Sequence, residues 1–166
     1  MPEIISIRLN EKSVQKAIDK IDAYADNLEK KVETYLEKLA EAGIAEANIS
    51  LMAVDSDNRG GANVHVGDKT SNSITVNMGG SKALFIEFGA GITYSNPQHP
   101  KAGEMGYGVG TYPYQKHALD PRGWWYSTGG QKHIHSYGNR AYMPLYNASQ
   151  SIKEQAAEIA KEVFWS

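Results

Sequence analysis

The chain has 166 residues, of which 41% are hydrophobic and 22% charged, with no cysteine and a formal net charge of -2. This length and composition predict one folded domain with a sizeable core, and they exclude a disulfide framework, a thiolate nucleophile and cysteine-ligated zinc. The small negative charge argues against a dedicated nucleic-acid binder, and the lack of an apolar run of about 20 residues predicts a soluble, unsecreted protein without a membrane span.

The N-terminal quarter of the chain predicts one long helix. Residues 3 to 9 alternate apolar and polar side chains, which predicts a short strand, and Asn10 then predicts a helix N-cap. Apolar residues follow at alternating spacings of four and three, which predicts an amphipathic helix over residues 11 to 47, bent near Gly43. This apolar seam comprises Val14, Ile18, Ile21, Ala25, Leu28, Val32, Tyr35, Leu39 and Ala42. It either packs inside the subunit, against the sheet and a second helix, or meets a neighbouring subunit.

Short β segments separated by turn-forming residues follow the helix. They fall at residues 63 to 67, 73 to 78 and 82 to 88, and together they predict an antiparallel meander over residues 63 to 88. The turn before them, residues 55 to 60, has the spacing of a calcium loop. Because Arg59 stands where such a loop supplies an oxygen ligand, we interpret it as an ordinary turn.

Residues 89 to 140 are rich in glycine and aromatic residues. They contain ten of the sixteen glycines and eight aromatic side chains, which predicts an extended arm. Residues 92 to 137 of this arm are expected to be mobile in the free subunit and ordered at an interface. Within it, residues 123 to 127 and 132 to 137 flank Thr-Gly-Gly and predict a hairpin. The interface candidates are Trp124, Trp125, Tyr126, Tyr112, Tyr114 and Tyr137. A second amphipathic helix is predicted over residues 146 to 164, packed with the first. The predicted fold is therefore a single α+β domain over residues 1 to 166.

Enzymatic chemistry has weak support in the sequence. His133 and His135 would share one face of a strand, and with His99, His117, Glu104 or Asp120 they could assemble a zinc site, although the spacing is not diagnostic. The sequence has no nucleophile elbow, phosphate loop or dinucleotide turn. We therefore predict a protein that is not an enzyme and needs no cofactor. The alternatives are a small histidine-dependent metal hydrolase or nuclease, and a module that binds glycan or nucleic acid on Trp124, Trp125 and Tyr126.

Two segments carry a more specific signal. Residues 85 to 91 read Phe-Ile-Glu-Phe-Gly-Ala-Gly, and residues 138 to 148 read Gly-Asn-Arg-Ala-Tyr-Met-Pro-Leu-Tyr-Asn-Ala, directly before the last helix. In this order, and between the two helices, they resemble the phage tail-completion or head-tail joining family of lambda-like long-tailed phages, in the version found in prophages of Gram-positive bacteria. The motif residues are Phe85, Glu87, Phe88, Gly89, Gly91, Arg140, Ala141 and Pro144.

The resemblance implies a structural role in the virion. Members of that family complete the tail at the head-tail neck as rings, so it implies a homo-oligomer, such as a hexamer, that is assembled in the bacterial cytoplasm. The implied partners are the tail tube or tail terminator and the head connector, with DNA at most passing through the ring. Glu87 is then expected to be structural, held by backbone amides near residues 89 to 91 or by a cation, for which Arg140 is the candidate.

Overall fold

The protein has an α+β fold built from two long helices and three small strand pairs. The computed structural model describes residues 8, 10 to 91, 97 to 107, 120 to 127, 130 and 133 to 165, so the strand predicted for residues 3 to 9 lies outside the described residues. The helices are α1 (Glu11–Met52), α2 (Ser56–Arg59), α3 (Ala83–Phe88) and α4 (Pro144–Trp165). The strands are β1 (Asn63–Lys69), β2 (Ile74–Gly79), β3 (Ala90–Gly91), β4 (Trp124–Ser127), β5 (His133–Ser136) and β6 (Gly138–Asn139). They pair antiparallel as β1 with β2, β3 with β6 and β4 with β5.

Helix α1 begins where the sequence predicts. The Asn10 side chain accepts a hydrogen bond of 2.9 Å from the backbone N–H of Ser13, which satisfies a donor of the first turn. The helix continues five residues beyond the predicted end at residue 47. Gly43 does not end it, and its role is to let α4 approach closely, because a Cβ at this position would lie 2.6 Å from Cδ1 of Ile152.

Helix α4 runs antiparallel to α1 and covers only its C-terminal part. At one end, the Asn147 side chain donates to the Ser50 hydroxyl over 3.0 Å, and at the other, Nζ of Lys31 donates to the carbonyl of Phe164 over 3.3 Å. The predicted packing of the two long helices is therefore confirmed between residues 31 and 51 of α1. Because α4 has 22 residues against the 42 of α1, at about 1.5 Å per residue it is about 30 Å shorter.

The N-terminal half of α1 has its apolar seam in solvent. Val14, Ile18, Ile21 and Leu28 are 42%, 44%, 52% and 42% exposed. The same seam is covered from residue 31 onward, where α4 lies. The interpretation that the whole seam packs inside the subunit is therefore wrong for these four side chains, because α4 ends beside Lys31 and no other helix of the described residues reaches them.

A β hairpin and the end of α1 enclose a small core. Leu51, Val54 and Ile86 form its buried centre. Side chains of the residue before β1, of β1 and β2, and of the segment before α4 pack around it, namely Ala62, Val64, Met78 and Tyr142. The tip of the hairpin is fixed to α1 by ion pairs of 2.7 Å from Lys69 to Glu33 and Glu37. These hydrogen bonds raise the pKa of Lys69 and lower that of Glu33.

The prediction of a third strand in the meander, over residues 82 to 88, is wrong. Residues 83 to 88 form the short helix α3, closed by a hydrogen bond from the N–H of Gly89 to the carbonyl of Phe85. In a strand, residues 86 and 88 would share one face. The helix instead turns three consecutive buried side chains toward three different neighbours: Ile86 toward Leu51 and Val54, Glu87 toward α4, and Phe88 toward Ala102. Tertiary packing therefore overrides the β propensity of this segment.

Candidate functional site

The first motif segment, residues 85 to 91, caps helix α4, which follows the second motif segment. The Glu87 carboxylate accepts hydrogen bonds of 2.9 Å from the backbone N–H groups of Leu145 and Tyr146, in the first turn of α4. Amides at this end of a helix have no partner within the helix, and a negative charge there is stabilised by the helix dipole. Glu87 is only 5% exposed, so the bonds form away from solvent. It therefore acts as a long-range N-cap of α4.

The second segment caps α3 in return. The carbonyl of Ile86 accepts a hydrogen bond of 2.8 Å from the N–H of Tyr142, and the carbonyl of Phe85 accepts one of 2.6 Å from the Asn139 side chain. Carbonyls in the last turn of a helix lack partners within the helix. Each segment thus satisfies the helix end of the other, and the two motifs form one structural unit.

His99 completes the polar surroundings of Glu87. Its Nε2 lies 3.2 Å from Oε1 of Glu87, and its Nδ1 accepts a hydrogen bond of 3.1 Å from the N–H of Lys101. Because Nδ1 is an acceptor, the ring proton stands on Nε2 and is donated to the carboxylate. The ring is 3% exposed and lies against Phe88 and Tyr146, with centroid distances of 4.5 and 5.2 Å. We call Glu87, His99 and the two α4 amides the Glu87 cluster.

The hydrogen bonds of His99 predict its tautomer. The ring is expected to carry its proton on Nε2, since Nδ1 faces a backbone donor. Nitrogen-15 NMR of the two ring nitrogens would show this directly, with the exposed His133 as a reference for a ring in solvent. A ring protonated at Nδ1, alone or together with Nε2, would contradict this description of the cluster.

Arg140 is not the cation that holds Glu87. Its guanidinium carbon lies 4.8 Å from the centroid of the Tyr142 ring, a cation–π contact. The expectation that Glu87 is held by backbone amides is correct in kind, but the amides belong to Leu145 and Tyr146 and not to residues 89 to 91.

The glycines of the first motif allow the two segments to touch. Gly89 and Gly91 have φ angles of 78° and 67°, a region that side-chain-bearing residues rarely occupy. A Cβ on Gly89 would lie 2.8 Å from the backbone nitrogen of Ala141, and one on Gly91 would lie 2.5 Å from the carbonyl oxygen of Tyr137. Strand β3 then pairs with β6, with Ala90 opposite Asn139. The motif therefore requires glycine for both its conformation and its space.

The predicted hairpin is present and divides its aromatic residues between two faces. In β4, Trp124 and Tyr126 are half-buried whereas Trp125 is 68% exposed. Trp124 lies against Gly91, where an added Cβ would be 2.7 Å from its ring, so it is part of the scaffold. Trp124, Trp125 and Tyr126 therefore do not form one platform, because neighbouring residues of a strand point to opposite sides.

A row of rings lies on the other face of the hairpin, exposed at Trp125 and Tyr137 and half-buried at His135. The ring of Trp125 lies 4.7 Å from that of His135, which lies 4.6 Å from that of Tyr137, measured between centroids. Tyr137 is 53% exposed. We call these three side chains the aromatic row. It retains two of the predicted interface residues and adds His135, which the sequence suggested only as a metal ligand.

Part of the predicted mobile arm belongs to the core. Ala102 is fully buried, and the rings of Phe88 and Tyr107 stack at 4.4 Å, so residues 97 to 107 pack against α3. The prediction of a free arm is wrong for these residues, because the arm supplies His99 to Glu87. Tyr112, Tyr114 and His117 lie outside the described residues.

The residues considered for metal binding are placed apart. Glu104 pairs with Lys101 at 2.8 Å, and Asp120 with Arg122 at 2.9 Å. Within the described part of the chain, no three histidine, aspartate or glutamate side chains are grouped so that they could hold a metal ion.

Sequence reasoning missed the partnership of His99 and Asn139 with α3. A carboxylate inside an apolar segment does signal that a buried partner exists. The identity of that partner depends on how residues 97 to 107 fold back over α3, and no periodicity reports this.

Comparison of the chain with protein-family models, with curated proteins and with solved structures gives no match. The family resemblance accordingly stays a prediction from the two motifs. In the part of the chain that the structure describes, no helix is long and apolar enough to cross a membrane.

Proposed function

We propose that this chain is a structural virion protein of a phage or prophage, which completes the tail at the head-tail neck by ring assembly. Its partners are then other copies of itself, the tail tube or tail terminator, and the head connector, and assembly takes place in the cytoplasm of the bacterial host. The protein performs no catalysis in this proposal.

The observation that supports the proposal most is that the polar groups of the two motifs make hydrogen bonds that hold the fold together. The Glu87 carboxylate accepts hydrogen bonds from three donors and is only 5% exposed, which suits a scaffold role. The two segments that suggested the family are separated in sequence by residues 92 to 137 and form a single unit. A family defined by a structural role is expected to preserve such a unit.

The aromatic row supplies a surface for the neighbour in the neck. Trp125 and Tyr137 expose large rings on a hairpin that is anchored through Trp124, so they can contact a partner without reorganising the core. Tryptophan and tyrosine are enriched among residues that dominate interface energies, where each contributes about 2 kcal/mol or more.

Removing the aromatic row is expected to block assembly and leave the fold intact. The double variant Trp125→Ala, Tyr137→Ala should unfold at the same temperature as the parent within a few degrees, while phage that carry it accumulate separate heads and tails. Electron microscopy of lysates and the infectious titre measure this. The matched control is Met105→Ala with Ile49→Ala, which removes two apolar side chains of 58% and 62% exposure elsewhere. Normal particles from the Trp125→Ala, Tyr137→Ala double variant would contradict the proposed interface.

A direct test of ring assembly uses purified protein and tail tubes. Native mass measurement of the mixture is expected to show several copies of the 18.2 kDa chain on each tube end. Failure to bind tubes, together with normal joining by the aromatic-row variant, would refute the proposed function.

The aromatic row also favours a second candidate, a module that binds glycan or single-stranded nucleic acid by stacking. This function predicts salt-sensitive binding of oligonucleotides, or saturable binding of oligosaccharides, by the isolated protein. Loss of that binding in Trp125→Ala would favour the module over the neck protein.

A further inference from the structure

We draw no further inference here: the strongest candidate, the exposed apolar stripe of Val14, Ile18, Ile21 and Leu28 on the N-terminal half of α1, is a helix face for which nothing in the described part of the structure shows what covers it.

Discussion

Replacement of Glu87 by alanine is expected to lower the free energy of unfolding by about 3 to 5 kcal/mol, the range for breaking a buried charged contact by removing one partner. The substitution leaves three buried donors without an acceptor: the N–H groups of Leu145 and Tyr146, and Nε2–H of His99. It also removes the negative charge at the start of α4. Urea denaturation followed by circular dichroism measures the loss.

The isosteric variant Glu87→Gln separates charge from volume. An amide keeps one acceptor oxygen, but its NH₂ group then faces a backbone N–H, so we expect a smaller loss of about 1 to 3 kcal/mol. The control is Glu104→Gln, which changes a carboxylate that is 70% exposed and pairs with Lys101 at the surface, where little change is expected. Equal unfolding curves for Glu87→Gln and the parent would refute the capping role.

Replacement of Gly89 by alanine is expected to destabilise the protein by about 2 to 5 kcal/mol, from backbone strain and from a steric clash. The φ of 78° is unfavourable for alanine, and the new Cβ would lie 2.8 Å from the backbone nitrogen of Ala141. Since that neighbour is backbone and not a flexible side chain, relief requires the two motifs to separate. The hydrogen bonds that join α3 to the second motif would then be weakened as well.

Gly106 offers a control with a similar φ angle. Its φ is 76°, and an added Cβ there would meet no atom within 4 Å. Gly106→Ala therefore carries the strain of a positive φ without the clash, about 1 to 2 kcal/mol. The larger loss of unfolding free energy expected for Gly89→Ala reflects the clash together with the strain at its ψ of 174°, and equal losses would show that close packing at Gly89 is unimportant.

The elements that the sequence predicts well are those with local signals. The 4-3 spacing of Val14 to Ala42 indicates α1 because each apolar residue repeats on one helical face, and Asn10 marks its start through a bond to Ser13, three residues away. The hairpin of β4 and β5 follows from the Thr-Gly-Gly turn between two aromatic-rich segments. In each case the interacting groups are close in sequence, so composition and period are sufficient.

The site itself was only partly predictable. The sequence indicates that Glu87 needs a buried partner, and it brings out both motifs by their residue types. It leaves open whether that partner is a cation, for which Arg140 in the second motif is the candidate, or the backbone amides near residues 89 to 91. The structure satisfies the carboxylate with helix amides and His99 instead, because α3 ends directly beside the first turn of α4.

The sequence by itself determined that this protein is α+β, that its N-terminal part is a long amphipathic helix, and that two short segments have a special role. Only the tertiary structure decided that residues 83 to 88 are helical, that the motifs cap each other's helices, and which half of the α1 seam is covered. The helical period depends on residues that are close in sequence, so the spacing of the apolar side chains is enough to predict it. Whether a stretch of the seam is covered depends on where a segment distant in sequence packs. Because α4 ends beside Lys31, the seam from Val14 to Leu28 extends beyond α4 into solvent.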